Sequence, residues 1–390
     1  MHRNKQEPAS LFARRFGTND HLLIVRSPGR VNIIGEHTDY NEGFVMPAAI
    51  DKAAYLAISL REDDEIHLVA NDLNETFSTT VTDLRPVGDV NWPNYIIGSA
   101  AQFLKEGVRL PGFNAVLTSD VPIGAGLSSS AAVECATVFA LNELLQTGLD
   151  RITMVHMAQK AEHEFAGVMC GIMDQFASMM GKKDHVIRLD CRSLEYEYKP
   201  FNLGDIKVLL LNTNVKHSLA SSEYNTRRRE CETAVGWVRE HVQGVNSLRN
   251  VTTAMLDQYV LPKDPLVDRR ARFVVEEIER LLAACGDLTK GDFAALGRKM
   301  FATHDGLSKM YGVSCRELDW LVDQVRDNEA VIGARMMGGG FGGCTINLIR
   351  EEAIGPLLEK LRPAYEAAMG LPLTGYITTI ENGTDILFQA

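Results

Sequence analysis

Residues 121–132 read VPIGAGLSSSAA, and the nature of this loop decides what surrounds it. Ahead of it, residues 113–119 have the character of a strand. Behind it, residues 129–145 are apolar, alanine-rich and long enough for a buried helix. Gly124 and Gly126 let the backbone approach a ligand closely, and Ser128, Ser129 and Ser130 supply hydroxyls. The helix start adds unpaired N–H groups and the positive end of its dipole. One Gly-x-Gly alone reads as an ordinary turn with a serine N-cap. Two glycines and three serines before a buried helix read as a phosphate cradle. It is not a P-loop, because no lysine follows Gly126, and Ser129 stands where a dinucleotide motif needs its third glycine. The H-R-D and D-F-G signatures of protein kinases are absent.

A phosphate cradle that works with a magnesium ion needs hard oxygen ligands beside it. Ser130 can give a hydroxyl, and a carboxylate has to come from elsewhere. Residues 158–176 read AQKAEHEFAGVMCGIMDQF, with Glu162 the first candidate and Glu164 the second. Spacing alone reads Glu162 as a solvated helix charge. Asp174 sits among apolar neighbours, either as a helix cap or as an acid–base group. A buried carboxylate needs a partner, and Arg30 is the available cation. Arg30 opens the stretch 27–47, SPGRVNIIGEHTDYNEGFVMP. There an apolar run through Val31, Ile33 and Ile34 ends in four consecutive hydrogen-bonding side chains, Glu36, His37, Thr38 and Asp39. A turn explains one or two of them, not four.

The 390 residues suit two domains. Hydrophobic content of 45% and charged content of 23% are those of a globular protein, and the net charge of −11 argues against nucleic-acid binding. The opening MHRNKQEPAS lacks the apolar core of a signal peptide, and no stretch is long and apolar enough to span a membrane. Seven cysteines, an odd number with no Cys-x-x-Cys, speak against disulfides or zinc and for a cytoplasmic setting.

Strands are expected at 22–26, 31–34, 44–49, 53–60, 65–70, 113–119, 186–189, 208–211, 345–349 and 375–380. Helices are expected at 91–106, 129–145, 151–165, 172–180, 222–240, 264–284, 292–307, 315–328 and 351–369. A second glycine loop, MGGGFGGC, occupies 337–344. Strands and helices mix without a βαβα rhythm, which gives an α+β class. The division falls at 1–204 and 205–390.

GRVNIIGEHTDYNEG, VPIGAGLSSSAA, CGIMDQF and MMGGGFGGC occur in this order. Together they resemble the GHMP family of small-molecule kinases, and the first motif resembles the galactokinases within it. EHEFAG, DCRSLE and NTNVKHSLASSEYNTRRREC extend that likeness over nearly the whole chain. The resemblance implies a ribosomal-protein-S5-like N-terminal domain and a ferredoxin-like C-terminal one, with the active site between them. It implies transfer of the ATP γ-phosphate to the anomeric hydroxyl of α-D-galactose, with no obligate protein partner. Asp174 is then the catalytic carboxylate and Arg30 its cationic partner. Glu36, His37, Thr38 and Asp39 form the sugar-reading edge, joined by Gly171 and Tyr224. Gly124, Ala125, Gly126, Leu127, Ser128, Ser129 and Ser130 form the ATP phosphate loop, and Ser130 and Glu162 hold Mg2+. Met337 stands where galactokinases often carry threonine. Trp92 is either a wall of the adenine pocket or an ordinary core residue.

Overall fold

The computed structural model describes residues 6–88, 91–215 and 220–390. The first five residues and the KHSL of the motif quoted above lie outside them. The glycine-serine loop connects two elements that match expectation: a strand, Phe113–Ser119, and a helix, Ser129–Leu145. That helix is buried nearly all round, as an apolar, alanine-rich segment should be when it is the central helix of a layer.

Strands are numbered β1–β13 and helices α1–α11 in chain order. The first sheet runs β13 (Asp385–Gln389), β1 (Leu23–Asn32), β3 (Pro47–Leu60), β6 (Phe113–Ser119), β4 (Glu65–Ala70), β5 (Glu75–Thr80). On one face it carries α2 (Asn91–Lys105), α3 (Ser129–Leu145), α4 (Arg151–Ala161) and α5 (Met173–Met180), over one core. On its other face lies α1 (Gln6–Phe16), which buries Phe12 against Ile24, Ala57 and Val116. A small sheet of β2 (Phe44–Val45), β7 (His185–Asp190) and β8 (Tyr196–Pro200) closes this half.

The second half is an antiparallel sheet in the order β10 (Val331–Met336), β11 (Cys344–Arg350), β9 (Ile206–Asn212), β12 (Thr374–Thr378). Strand β9 shows the expected alternation of period two. Val208 and Leu210 face the core under α6 (Ala220–Arg239), α7 (Thr253–Tyr259), α8 (Pro265–Lys290) and α9 (Phe293–Gly306). Leu209 and Leu211 face the core under α10 (Arg316–Arg326) and α11 (Glu351–Met369). The protein is thus a two-domain α+β fold.

Two expectations need amending. Residues 22–34 are one strand to Asn32 and not two, because Pro28 sits at a register shift between Pro28 and Arg30, where a missing N–H is tolerated. The division at 204/205 separates the two larger sheets except for β13, which returns to pair antiparallel with β1. Among the described residues no helix is long and apolar enough to cross a membrane.

Candidate active site

The glycine-serine loop lies directly on β1. A Cβ at Gly29 would stand 2.6 Å from the Leu127 carbonyl, so only glycine permits the contact. The next N–H, that of Arg30, donates to the same carbonyl at 3.1 Å. This seats the Arg30 side chain under the loop, where Nη1 donates to the Gly126 carbonyl at 2.6 Å. Its fork then grips Asp174, with Nε to Oδ1 at 2.7 Å and Nη2 to Oδ2 at 2.8 Å. Asp174 is in the first turn of α5, where a carboxylate is favoured by the helix dipole. A third donor, the Ser128 hydroxyl, reaches Oδ2 at 2.5 Å. Burial alone would lower the Arg30 pKa, but the Asp174 carboxylate outweighs it and holds Arg30 above its ordinary value.

Ser128 therefore does not cap its helix. It adopts a left-handed conformation at φ 58° and turns its hydroxyl onto Asp174. The phosphate loop and the acidic group, read separately in the sequence, are bonded to each other. Ala125 and Leu127 are buried in the core, so only their backbones belong to the loop surface. Gly124 and Gly126 line the cavity. The second glycine loop faces the first backbone to backbone: a Cβ on Gly338 would stand 3.3 Å from the Gly126 carbonyl. Met337 is buried there, with its sulfur 3.4 Å from the Asn32 N–H.

Across a cavity of about 330 Å³ from Asp174 stands the Glu36–Asp39 segment. Glu36 is buried, and its Oε1 accepts from Arg335 Nη1 at 2.9 Å and from the Gly338 N–H at 3.0 Å. Burial would raise this carboxyl, but Arg335, then Arg30, then the Gly338 N–H hold it below the usual carboxylate range. Arg335 is fully buried and also donates to the carbonyls of Asn32, Ile33 and Met336. Burial pushes the His37 imidazole down to about 4, so it is neutral. Burial, with Asp174 nearby, pushes the Asp39 carboxyl up to about 7. Gly171 makes room for Asp39: a Cβ there would stand 1.9 Å from Asp39 Oδ2. Tyr224, near the start of α6, closes the wall beside Gly339 and Gly340.

Thr38 departs from the sequence expectation. Its hydroxyl is buried and points onto the carbonyls of Gly35, at 3.0 Å, and Phe44, at 2.5 Å. It closes the turn that presents its neighbours and does not line the cavity. Trp92 lies in the core with its indole N–H on Glu75 at 2.7 Å. Glu162 is not a solvated charge. The helix α4 continues into a π turn, Glu162–Ala166, which swings Glu162 into the cavity wall. Burial and the Asp174 charge push its carboxyl up to about 7, partly offset by the Ser130 hydroxyl. Beside it lies Glu134, fully buried and pushed up by burial and by Glu162, and the Gln175 amide bridges the two carboxyls at 3.0 and 2.7 Å. No group of three or more metal-ligating side chains occurs among the described residues.

Sequence reasoning missed Arg335, the Ser128–Asp174 bond, and the pairing of Glu134 with Glu162. Arg335 stands two residues before the second glycine loop, but its partner Glu36 is 299 positions away. Only Glu134 carried a signal, as a carboxylate within an otherwise apolar helix.

With this geometry in hand, three family models match the chain. The GHMP kinases N terminal domain covers residues 94–182, the galactokinase galactose-binding signature residues 10–60, and the GHMP kinases C terminal domain residues 276–367. The galactokinase of Thermotoga petrophila is 43% identical over 353 residues, 90% of this chain and 96% of that protein. The crystal structure of Lactococcus lactis galactokinase complexed with galactose superposes with a TM-score of 0.93 at 32% identity, covering 97% of this chain and 99% of that one. The mevalonate kinase of Methanococcus jannaschii, at 20% identity and TM-score 0.63 over 93% and 99%, shares the fold.

Proposed function

The chain belongs to the galactokinases, a branch of the GHMP kinases, and from that premise we propose how its cavity phosphorylates galactose. The observation that carries the reading is the Arg30–Asp174 fork, placed under a glycine-serine loop and opposite a row of hydroxyl-reading side chains. Galactose is uncharged, so it has to be read through hydroxyl hydrogen bonds. Glu36 and Asp39 accept from its hydroxyls, His37 meets another, and Tyr224 packs beside them. Gly171 acts through Asp39, by leaving it space.

The loop from Gly124 to Ser130 cradles the ATP phosphates with backbone N–H groups and the start of α3. Phosphoryl transfer leaves the protein little covalent work, so alignment and charge neutralisation dominate. Asp174 accepts the hydrogen bond of the anomeric hydroxyl and aims its oxygen at the γ-phosphorus. Three donors already occupy Asp174, so alignment comes first. The proton passes to it as the new O–P bond forms and ADP leaves. Arg30 keeps Asp174 oriented and spreads positive charge toward the phosphates.

Among the described residues, the two buried carboxyls Glu134 and Glu162 have no cation beside them, which fits a site for a divalent ion at Glu162 and the Ser130 hydroxyl. Magnesium keeps few protein ligands and takes the rest from phosphates and water. When bound it supplies charge neutralisation at the phosphates. The seven cysteines are all free thiols, which supports a cytoplasmic setting.

The test is ADP release with ATP and Mg2+ against galactose, glucose, N-acetylgalactosamine and mevalonate, with Asp174→Ala alongside. Turnover centred on galactose and lost in the variant is expected. Galactose binding without turnover would overturn the reading.

A further inference from the structure

Tyr40 follows the sugar-reading edge in sequence. Its hydroxyl lies 2.7 Å from His37 Nδ1 and 2.7 Å from the hydroxyl of Tyr311. Tyr311 ends the π turn Leu307–Tyr311 of the other domain, and its hydroxyl lies 3.3 Å from the sulfur of Cys231 on α6. Four side chains thus form one hydrogen-bonded chain that begins at the cavity and ends inside the C-terminal half. The far nitrogen, His37 Nε2, is buried and has no hydrogen-bond partner of ordinary geometry among the described residues.

Such a chain has two polarities. In one, Nδ1–H donates to Tyr40, Tyr40 to Tyr311 and Tyr311 to sulfur, and Nε2 presents a lone pair. In the other, the Cys231 thiol donates to Tyr311, Tyr311 to Tyr40 and Tyr40 to Nδ1, and Nε2 carries the proton. Two considerations select the second. A phenol donating to an imidazole nitrogen is a better-matched bond than the reverse. The Gly339 backbone favours a proton on the His37 ring. Burial holds both phenols well above their usual range, so neither gives up its proton outright.

We infer that Tyr40 and Tyr311 are positioning residues that fix His37 in the Nε2–H tautomer, making it a hydrogen-bond donor to a substrate hydroxyl. The sugar edge is then split by role, with Glu36 and Asp39 accepting and His37 donating. A hydroxyl that receives from His37 has its own proton free to give elsewhere, so the chain tunes which sugar stereochemistry fits. This inference rests on the galactose reading for the identity of the ligand, not for the tautomer.

The test has two arms. In the free protein labelled with 15N-histidine, the His37 signal is identified by its loss in His37→Gln. It should show the proton on Nε2 in the wild type, and a mixture of tautomers in Tyr40→Phe. In kinetics, Tyr40→Phe should raise the KM for galactose about tenfold, the worth of one hydrogen bond, with kcat little changed. One monodeoxygalactose, the one lacking the hydroxyl that His37 meets, should show no such rise. Tyr311→Phe leaves Tyr40 in place but unanchored and should fall between. A wild-type proton on Nδ1 overturns the inference. So does a Tyr40→Phe or Tyr311→Phe protein that keeps the wild-type tautomer and KM. If the wild type does not phosphorylate galactose, the functional reading fails instead, and the spectrum of the free protein still decides the tautomer.

Discussion

Replacing Arg335 with methionine tests how the sugar edge is held. Methionine keeps an unbranched stem of similar reach and removes the guanidinium. Arg335 is fully buried, and Glu36, its partner at 2.9 Å, is 2% exposed. Removing one member of such a pair leaves a buried charge without compensation, which costs about 3–5 kcal/mol. Here Glu36 keeps the Gly338 N–H, while the carbonyls of Asn32, Ile33 and Met336 each lose a donor. We therefore expect about 3 kcal/mol, read by urea unfolding at pH 7.5. The pH dependence has a definite sign. In the wild type the Glu36 carboxyl is held below its unfolded value, so its stabilisation is present above the unfolded pKa and is lost as pH falls through the folded one. Without Arg335, burial dominates and the folded value rises. The deficit should then be largest at neutral pH and shrink on acidification. Adding Glu36→Gln to Arg335→Met should recover part of the loss. An Arg335→Met protein within about 1 kcal/mol of wild type, or no recovery in the double variant, would refute the reasoning.

Asp174→Asn should fold and bind galactose while turnover falls about 100- to 10,000-fold, as measured by ADP release. Gly171→Ala should raise the galactose KM at least about tenfold, because its Cβ has to displace Asp39, with thermal stability less affected; an unchanged KM would mean that Asp39 is not held in place by this contact. Asp39, held up to about 7 by burial, favours the folded state below its unfolded value near 4, and that contribution is lost as pH rises through 7. Asp39→Asn should therefore be more stable than wild type at pH 8, and the gain should fade toward pH 4 in parallel urea titrations. The reverse trend would show that Asp39 is compensated in the folded protein.

Segments that carry their own signal were legible. The helix α3 was bounded correctly because an apolar run and the serines before it agree. Strand β5, ETFSTT, was missed because it is polar and largely exposed at a sheet edge. Strand β10 was missed because Gly333 and the charged Arg335 interrupt its pattern. Gly333 is there because α9 approaches with Gly297, where a Cβ would stand 1.7 Å from the Ile332 carbonyl. In the site, residue types announced themselves through the glycine-serine loop and the run from Glu36 to Asp39. Orientation did not. Thr38 turns inward and Glu162 turns into the cavity wall, and neither direction follows from spacing, because both depend on backbone geometry at a turn or π segment. Arg335 depended on a partner in the other domain.

The last strand has a consequence for how the chain reaches its final form. β13 covers the edge of β1, the strand whose end carries Arg30. During synthesis that edge stays open until residues 385–389 have left the ribosome, and an open edge invites pairing with other chains. The two halves are therefore not separable folding units in sequence order. A nascent chain stopped at residue 204 is expected to aggregate, and supplying the missing strand in trans is expected to protect it.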